Sequence, residues 1–469
     1  MPIHSRISQV VLLVLVSSMV ALRAVELPTA TVVAAPKPLA DDAVVEEWGS
    51  FLGPTHNGVS RETKLNLTWD AHGPKLLWSL PRGSGYVSPA IVDGKLVYQH
   101  RIGDEDVIEC LDAITGSRLW YRAFTTQYAD RYGYNNGPRS SPVIDGDQVY
   151  IYNSLGVLRC CALADGVSRW NRDLSADYHV AQNFFGVGTT PLAEGGRVII
   201  NVGAPGGDCV VALDRTSGLT AWTTQDEWGP SYASPVPATF HGKRRILVFA
   251  GGESRPATGG LLCIDPATGV KDFRFPWRSQ AYESVNASCP LVIGNQVLIT
   301  TSYQTGAALL TIGADMQPTA AWTNEVFGCH FMTPVHVDGY VYGFPGRNHP
   351  DVEMGCIELT TGIMKWQEQP RWKEVVSSKG RERQMVMSPF RGQFLHVQNR
   401  FICLGEEGHL LSYDLSATGY QELSRAWLFQ ASESWTPPVL WHGLLYLCQN
   451  QRGLDGTPAR LLCYDLRGK

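Results

Sequence analysis

The chain has 469 residues, 44% hydrophobic and 18% charged, which is enough apolar material for large cores and too little charge for a disordered chain. A formal net charge of -5 carries no basic excess and excludes nucleic acid or an anionic membrane surface as the expected partner. Forty-seven Gly and 28 Pro beside 14 Trp and 18 Tyr predict many turns and short aromatic-bearing strands, hence an all-β protein.

At the N-terminus, His4 and Arg6 precede an uncharged stretch from Ile7 to Leu22, with small residues at Ala21 and Ala24. This is signal-peptide anatomy, shorter than the roughly 18 to 20 residues that span a bilayer comfortably. Residues 1–24 therefore read as an export signal, and the mature chain as periplasmic or extracellular with no membrane span. Residues 25–47 read as an Ala/Pro-rich linker and 48–469 as one folded domain. Eleven Cys is an odd number, so a simple disulfide framework is excluded. No C-x-x-C or C-x-x-C-H occurs, which disfavours zinc and covalently bound haem, and no metal ligand set is expected.

From Ser88 onward two signals recur in step. The first is Ser, Thr or Cys followed by Pro, at Ser88, Ser141, Thr190, Ser234, Cys289, Thr333, Ser388 and Thr436. These positions return about every 50 residues, the length of a four-stranded propeller blade. The second is a hydrophobic strand entering an Asp/Thr/Gly turn and then an aromatic, as in Cys110-Leu111-Asp112-Ala113-Ile114-Thr115-Gly116-Ser117-Arg118-Leu119-Trp120. Cys160, Cys263, Cys356 and Cys463 recur at the Cys position and read as small buried apolar residues. The last copy, ending Cys463 to Gly468, stops before any Trp. Pro74 to Leu80 supplies a strand with Trp78 and no preceding turn, so it is expected to complete the last blade and close the ring. The docking aromatics then number eight: Trp78, Trp120, Trp170, Trp222, Phe273, Trp322, Trp366 and Trp427. The fold predicted is an eight-bladed β-propeller of four-stranded antiparallel blades.

The Leu111-Asp112-x-x-Thr115-Gly116-x-x-x-Trp120 stretch and its copies resemble the tryptophan-docking repeat of pyrroloquinoline quinone (PQQ) dehydrogenases. The same repeat occurs in PQQ-like propellers without cofactor, including the β-propeller lipoprotein of outer-membrane assembly. Trp48 to Pro54 with Asn57 to Ser60, Asn136 to Arg139, Phe275 to Arg278 and His330 to Pro334 further resemble exported PQQ-like propellers of bacteria such as planctomycetes. The resemblance implies the fold. It leaves open a quinoprotein alcohol dehydrogenase, which needs PQQ, a Ca2+ held by carboxylate and amide oxygens, and an Asp base. No motif places such a trio, and Cys160-Cys161, the one adjacent Cys pair, falls on a blade strand rather than over a site.

Residues three or four before each repeat Pro are expected to ring one mouth of the channel. They are Tyr86, Arg139, Tyr232, Asn286, His330, Glu433 and Ser434, with Val386, Phe331, Gly188 and Ala287 between them. Polar, aromatic and mixed-charge chemistry of this kind suits a pocket or partner surface. Long connections at 121–140, 171–189 and 367–387 are expected to roof the same mouth. The first two carry Tyr128, Tyr132, Tyr134, Phe184 and Phe185, whose stacking faces suit sugars or a planar ring. The reading that follows is a monomeric, non-catalytic binding or scaffold module for a protein or polysaccharide partner, with no cofactor expected. The alternative is a PQQ-dependent oxidoreductase, and a weaker one a hydrolase or lyase built on His330 and Glu433.

Overall fold

The computed structural model describes residues 26–204, 206–349, 351–378 and 381–468; the export signal read from residues 1–24 lies outside them. Eight antiparallel sheets surround an axis. Blade 1 has the strands Ala90–Val92, Lys95–Ile102, Glu105–Asp112 and Arg118–Thr125, numbered from the axis outward. Blades 2 to 7 repeat this order with inner strands at Val143–Asp145, Leu192–Glu194, Val236–Phe240, Leu291–Ile293, Val335–Val337 and Gln393–Val397. Blade 8 takes Val439–Trp441, Leu444–Gln449 and Arg460–Asp465 from the C-terminus and its outer strand, Lys75–Pro81, from the N-terminal side. The ring closes as the orphan Trp78 strand predicts.

The docking repeat has a simple physical basis. In blade 1 Trp120 lies opposite Cys110, and the register shifts by one residue just after them, toward Leu111 and Arg118. That bulge swings the indole toward the next blade. There the Trp120 N–H donates to the Leu163 carbonyl at 2.9 Å, and the ring covers Gly166. A Cβ on Gly166 would lie 2.5 Å from the indole, and its φ of +70° is the conformation glycine takes at least cost, so both needs select Gly. The indoles of Trp78, Trp170, Trp222, Trp322 and Trp366 make the same bond to the following blade, at 2.7–3.1 Å. Phe273 holds the position in blade 4 as a buried ring.

Blade 7 departs from the pattern. Its bulge follows the pair Ser412 and Ser424, so Ser424 occupies the docking position and Trp427 lies three residues beyond it. Trp427 stacks on His409 at 4.8 Å and bonds the Glu407 carbonyl of its own blade. Trp69, from the N-terminal segment, approaches instead: its backbone N–H donates to Ser424 Oγ at 2.9 Å, and its ring packs on the core shared by blades 7, 8 and 1.

The segment read as a linker is folded onto the propeller. Thr31–Val32 pairs with Lys75–Pro81 as a fifth strand of blade 8, and Lys37 bonds Asp465 and Arg467. Beyond it, Trp48 bridges Ile91 of blade 1, Gly49 accepts from Ile144 of blade 2, Leu52 enters the core of blades 4 and 5, and Val59 bridges His396 of blade 7. Contacts on opposite sides of the ring mean that this strap crosses the axis. All of them fall at the end that carries the turns between first and second strands, so the strap shuts the channel there. This is the structural use of Trp48 to Pro54 and Asn57 to Ser60.

The recurrent Ser/Thr/Cys before Pro forms a ladder around the axis from blade 1 to blade 6. The backbone N–H of Ser88 donates to Ser141 Oγ, Ser141 to Thr190, Thr190 to Ser234, Ser234 to the Cys289 sulfur and Cys289 to Thr333, at 3.0–3.3 Å. Each link ties one blade to the next around the axis. All eleven Cys are buried and unpaired. Burial raises their thiols above the usual range, to about 12 for Cys110 and Cys160.

Candidate functional site: the open mouth

With one end closed by the strap, the accessible end is the one carrying the fourth-to-first and second-to-third strand connections. A closed chain of side-chain contacts runs around it. Arg139 lies over the Tyr86 and Phe185 rings at 5.6 and 5.5 Å. Tyr86 meets Trp435 at 5.2 Å, Trp435 meets Phe331 at 5.5 Å, Phe331 meets His330, and His330 meets Tyr303. Arg347 covers Tyr303 and pairs with Glu283, whose neighbour Tyr282 meets Phe184 at 5.7 Å. Phe184 returns to Phe185. Every blade borders a contributing connection, blade 7 through Trp435 on its link to blade 8, and Arg391 of blade 7 lies over Trp435 at 4.6 Å.

The charged groups of this ring are engaged with one another. Arg139 pairs with the fully buried Asp130 at 2.6 Å and also bonds the Asn135 and Gly137 carbonyls. It is a clamp on its own connection rather than a free fork for an anion. Glu433 Oε2 accepts from the Tyr86 hydroxyl and from Gln451 at 2.7 Å. Burial, then the Glu433 bond, raises the Tyr86 phenol far above its usual range. Arg391 pairs with Glu406, which also accepts from the Trp435 indole at 3.0 Å. Next to them the Glu407 carboxyl is pushed up to about 7 by burial and by the Glu406 and Glu433 charges.

Of the other sequence-predicted residues, His330 is at the mouth with its Nε2 3.2 Å from the Tyr303 hydroxyl. Burial and the Arg347 and Arg391 charges lower it to about 3, so it is neutral. Among the described residues no hydrogen bond or ion pair joins it to Glu433. Asn286 and Ser434 belong to the wall and not to the surface. Both are fully buried; the Asn286 amide donates to the Ala250 and Trp277 carbonyls and accepts from Thr301, while Ser434 bonds the Ala431 carbonyl. Tyr232 touches Phe185, and its hydroxyl is held by the Phe185 N–H at 2.7 Å.

The connections at 121–140 and 171–189 deliver Tyr132, Tyr134, Phe184 and Phe185 to the mouth as expected. The third does not: Trp372–Ser378 and Arg381–Met387 form a hairpin, with Trp372 buried against His409 and under Arg425 of blade 7, away from the aromatic chain. Tyr303, Arg347 and Gln451 were not legible from the repeat Pro, because they lie on second-to-third strand connections. The meander's parity puts those connections at the same end.

The propeller has known relatives. Residues 103–368 match the family model described as outer membrane protein assembly factor BamB. The chain belongs to that family. Among curated proteins no relative matches. Similar solved structures include BamB from Moraxella catarrhalis, with 13% identity over 84% of this chain and 100% of that one and a TM-score of 0.55. The quinohemoprotein alcohol dehydrogenase of Comamonas testosteroni is 14% identical over 90% of this chain and 81% of that one, with a TM-score of 0.62. The quinohemoprotein alcohol dehydrogenase ADHIIG of Pseudomonas putida HK5 is 14% identical over the same shares, with a TM-score of 0.56. At these identities the likeness is one of fold, and it spans assembly factors and dehydrogenases alike.

Proposed function

We propose that this chain is an exported, monomeric binding propeller that holds a protein or polymer partner at its open mouth and performs no chemistry on it. The observation that carries this reading is the engagement of the titratable groups at the mouth: Asp130 by Arg139, Glu406 by Arg391 and Trp435, Glu433 by Tyr86 and Gln451, and His330 by Tyr303. A general base needs a pKa near the working pH: His330 at about 3 is a poor one, and Glu407, at about 7, has no hydrogen-bonded or ion-paired side chain among the described residues with which to act. The uncharged stretch at Ile7 to Leu22 supports export, and no helix among the described residues is long and apolar enough to cross a membrane.

PQQ with Ca2+, the alternative, does not fit the residues present. A Ca2+ site takes six to eight oxygens, several from free carboxylates and amides. Here the Asn286 amide oxygen accepts from Thr301 at 2.5 Å, and the Asp130, Glu406 and Glu433 carboxylates are tied to arginine, phenol or amide. Among the described residues no group of three or more His, Cys, Asp or Glu stands where it could hold a metal ion.

A photo-crosslinking side chain placed at Tyr134, at the mouth, and separately at Lys243, exposed at the strap end, tests the reading. Discrete adducts from position 134 and none from 243 are expected when the exported protein is exposed to its native extract. Adducts from 243 alone would overturn the assignment of the mouth.

A further inference from the structure

The most exposed part of the aromatic chain carries more specific information than the rest. Tyr132 is 53% exposed and Tyr134 55%, and both lean on Phe185 from ring centroids 5.7 Å away, at 58° and 84°. Neither stacks face to face on a neighbour. The Arg131 guanidinium lies over one face of Tyr132 at 5.1 Å, and no ring or cation stacks on the faces of Tyr134 among the described residues, so apolar ring surface is left to solvent although burial would favour covering it. Beside them Glu253 accepts from the Tyr282 hydroxyl through one oxygen and pairs with Arg131 through the other at 2.7 Å, while Arg255 covers Tyr282 at 3.8 Å.

Glu253 also opens a groove of about 550 Å3 that runs outward between blades 3 and 4. Its charges are matched in the same way: Lys271 pairs with Asp226 at 2.5 Å and Arg274 with Glu227 at 2.7 Å. A polyanion needs cations whose charge is not already neutralised. A polycation needs the reverse; among the described residues Arg255, seated over the Tyr282 ring, is the exception to this charge matching, and a single cation is no track for a polyanion. The surface offers free aromatic faces beside fixed carboxylate and guanidinium edges, which are stacking platforms and directional acceptors and donors for a neutral ring bearing hydroxyl groups.

Resting on the mouth as the binding surface, we infer that its ligand is a neutral polysaccharide, with sugar rings stacked on Tyr132 and Tyr134 and the chain continuing past Glu253 into the groove. Apolar C–H faces of the sugars meet the tyrosine rings, and their hydroxyls exchange hydrogen bonds with the Arg131–Glu253 pair. Such binding is insensitive to salt, because no counterions are released.

Native electrophoresis of the full chain through gels containing laminarin, xyloglucan or hydroxyethyl cellulose, with polygalacturonate as the polyanion, tests this. Retardation in at least one neutral gel is expected, unchanged by added salt. In that gel Tyr132→Ala and Tyr134→Ala should each weaken retention about tenfold with an unchanged melting temperature, one such interaction being worth roughly that factor. Retardation by polygalacturonate alone, abolished by salt, would overturn the neutral-glycan inference. Failure in every neutral gel would do so too, and adducts still formed from position 134 would then leave the mouth as a protein-binding surface. Full retention by the Tyr132→Ala/Tyr134→Ala double variant would place the sugar elsewhere and overturn both readings.

Discussion

Trp120→Ala tests the blade register directly. Trp120 is 7% exposed, its N–H bonds the Leu163 carbonyl at 2.9 Å, and its ring covers Gly166 in the next blade. Removing about 200 Å2 of buried ring at about 25 cal/mol per Å2 costs roughly 5 kcal/mol before the site relaxes. Measured Trp-to-Ala truncations of about 3 to 5 kcal/mol include that relaxation, and the Leu163 carbonyl, left without its donor, adds about 1 kcal/mol. A loss of about 4 kcal/mol is expected from urea unfolding followed by tryptophan fluorescence and by far-UV circular dichroism, with the slope unchanged. A loss below about 1 kcal/mol would mean that the indole is not a blade-to-blade contact, and the register would be refuted.

Other expectations are equally specific. A chain beginning at Gly83 lacks the strap and the outer strand of blade 8, so it should fail to give the cooperative melt of the full chain; an unchanged melting temperature would refute ring closure by Lys75–Pro81. Arg139→Ala strands the buried Asp130 and should cost about 3 to 5 kcal/mol, whereas an unchanged melting temperature would show that the pair does not hold the connection in place. The Glu407 carboxyl sits at about 7 in the fold against an ordinary 4.5, so the unfolded chain ionises first and stability falls as pH rises between those values. Glu407→Gln should flatten that fall, by up to about 3 kcal/mol at pH 8, and an unaltered pH profile of the melting temperature would refute the assignment. His330 and His409, both held near 3, act in the opposite sense: stability is lost as pH drops below about 6.5, and a variant with both replaced by Gln should lose less of its melting temperature between pH 7 and pH 5.

The propeller was legible because its repeat is enforced twice over. Each turn Gly must take a positive φ and leave room for an indole, and from blade 2 to blade 6 each Ser, Thr or Cys accepts from the backbone of the blade before it, so the chemistry recurs at fixed spacing. Where the contact is made differently the spacing misleads. Trp427 has the right residue type, yet the bulge after Ser424 hands the docking position to a serine and brings Trp69 in from far along the chain. Residues 26–66 carry little periodicity, and their contacts with blades 1, 2, 4, 5, 7 and 8 depend on tertiary partners no local pattern encodes. Counting back from Pro reached the end opposite the strap and placed five residues in the ring of contacts there: Tyr86, Arg139, His330, Phe331 and Glu433. It also gathered Asn286 and Ser434, because a position before an inner strand faces the surface or the wall according to a local twist of backbone that composition does not record.

The central claim, that this propeller binds and does not catalyse, is tested most directly by adding PQQ and Ca2+ to the purified full chain, desalting, and measuring the quinone absorbance that travels with the protein. The Asp130, Glu406 and Glu433 carboxylates and the buried Asn286 amide are already bonded within the chain, so the account predicts absorbance no greater than that carried by a cofactor-free control protein. Stoichiometric retention, lost when Ca2+ is chelated, would contradict it.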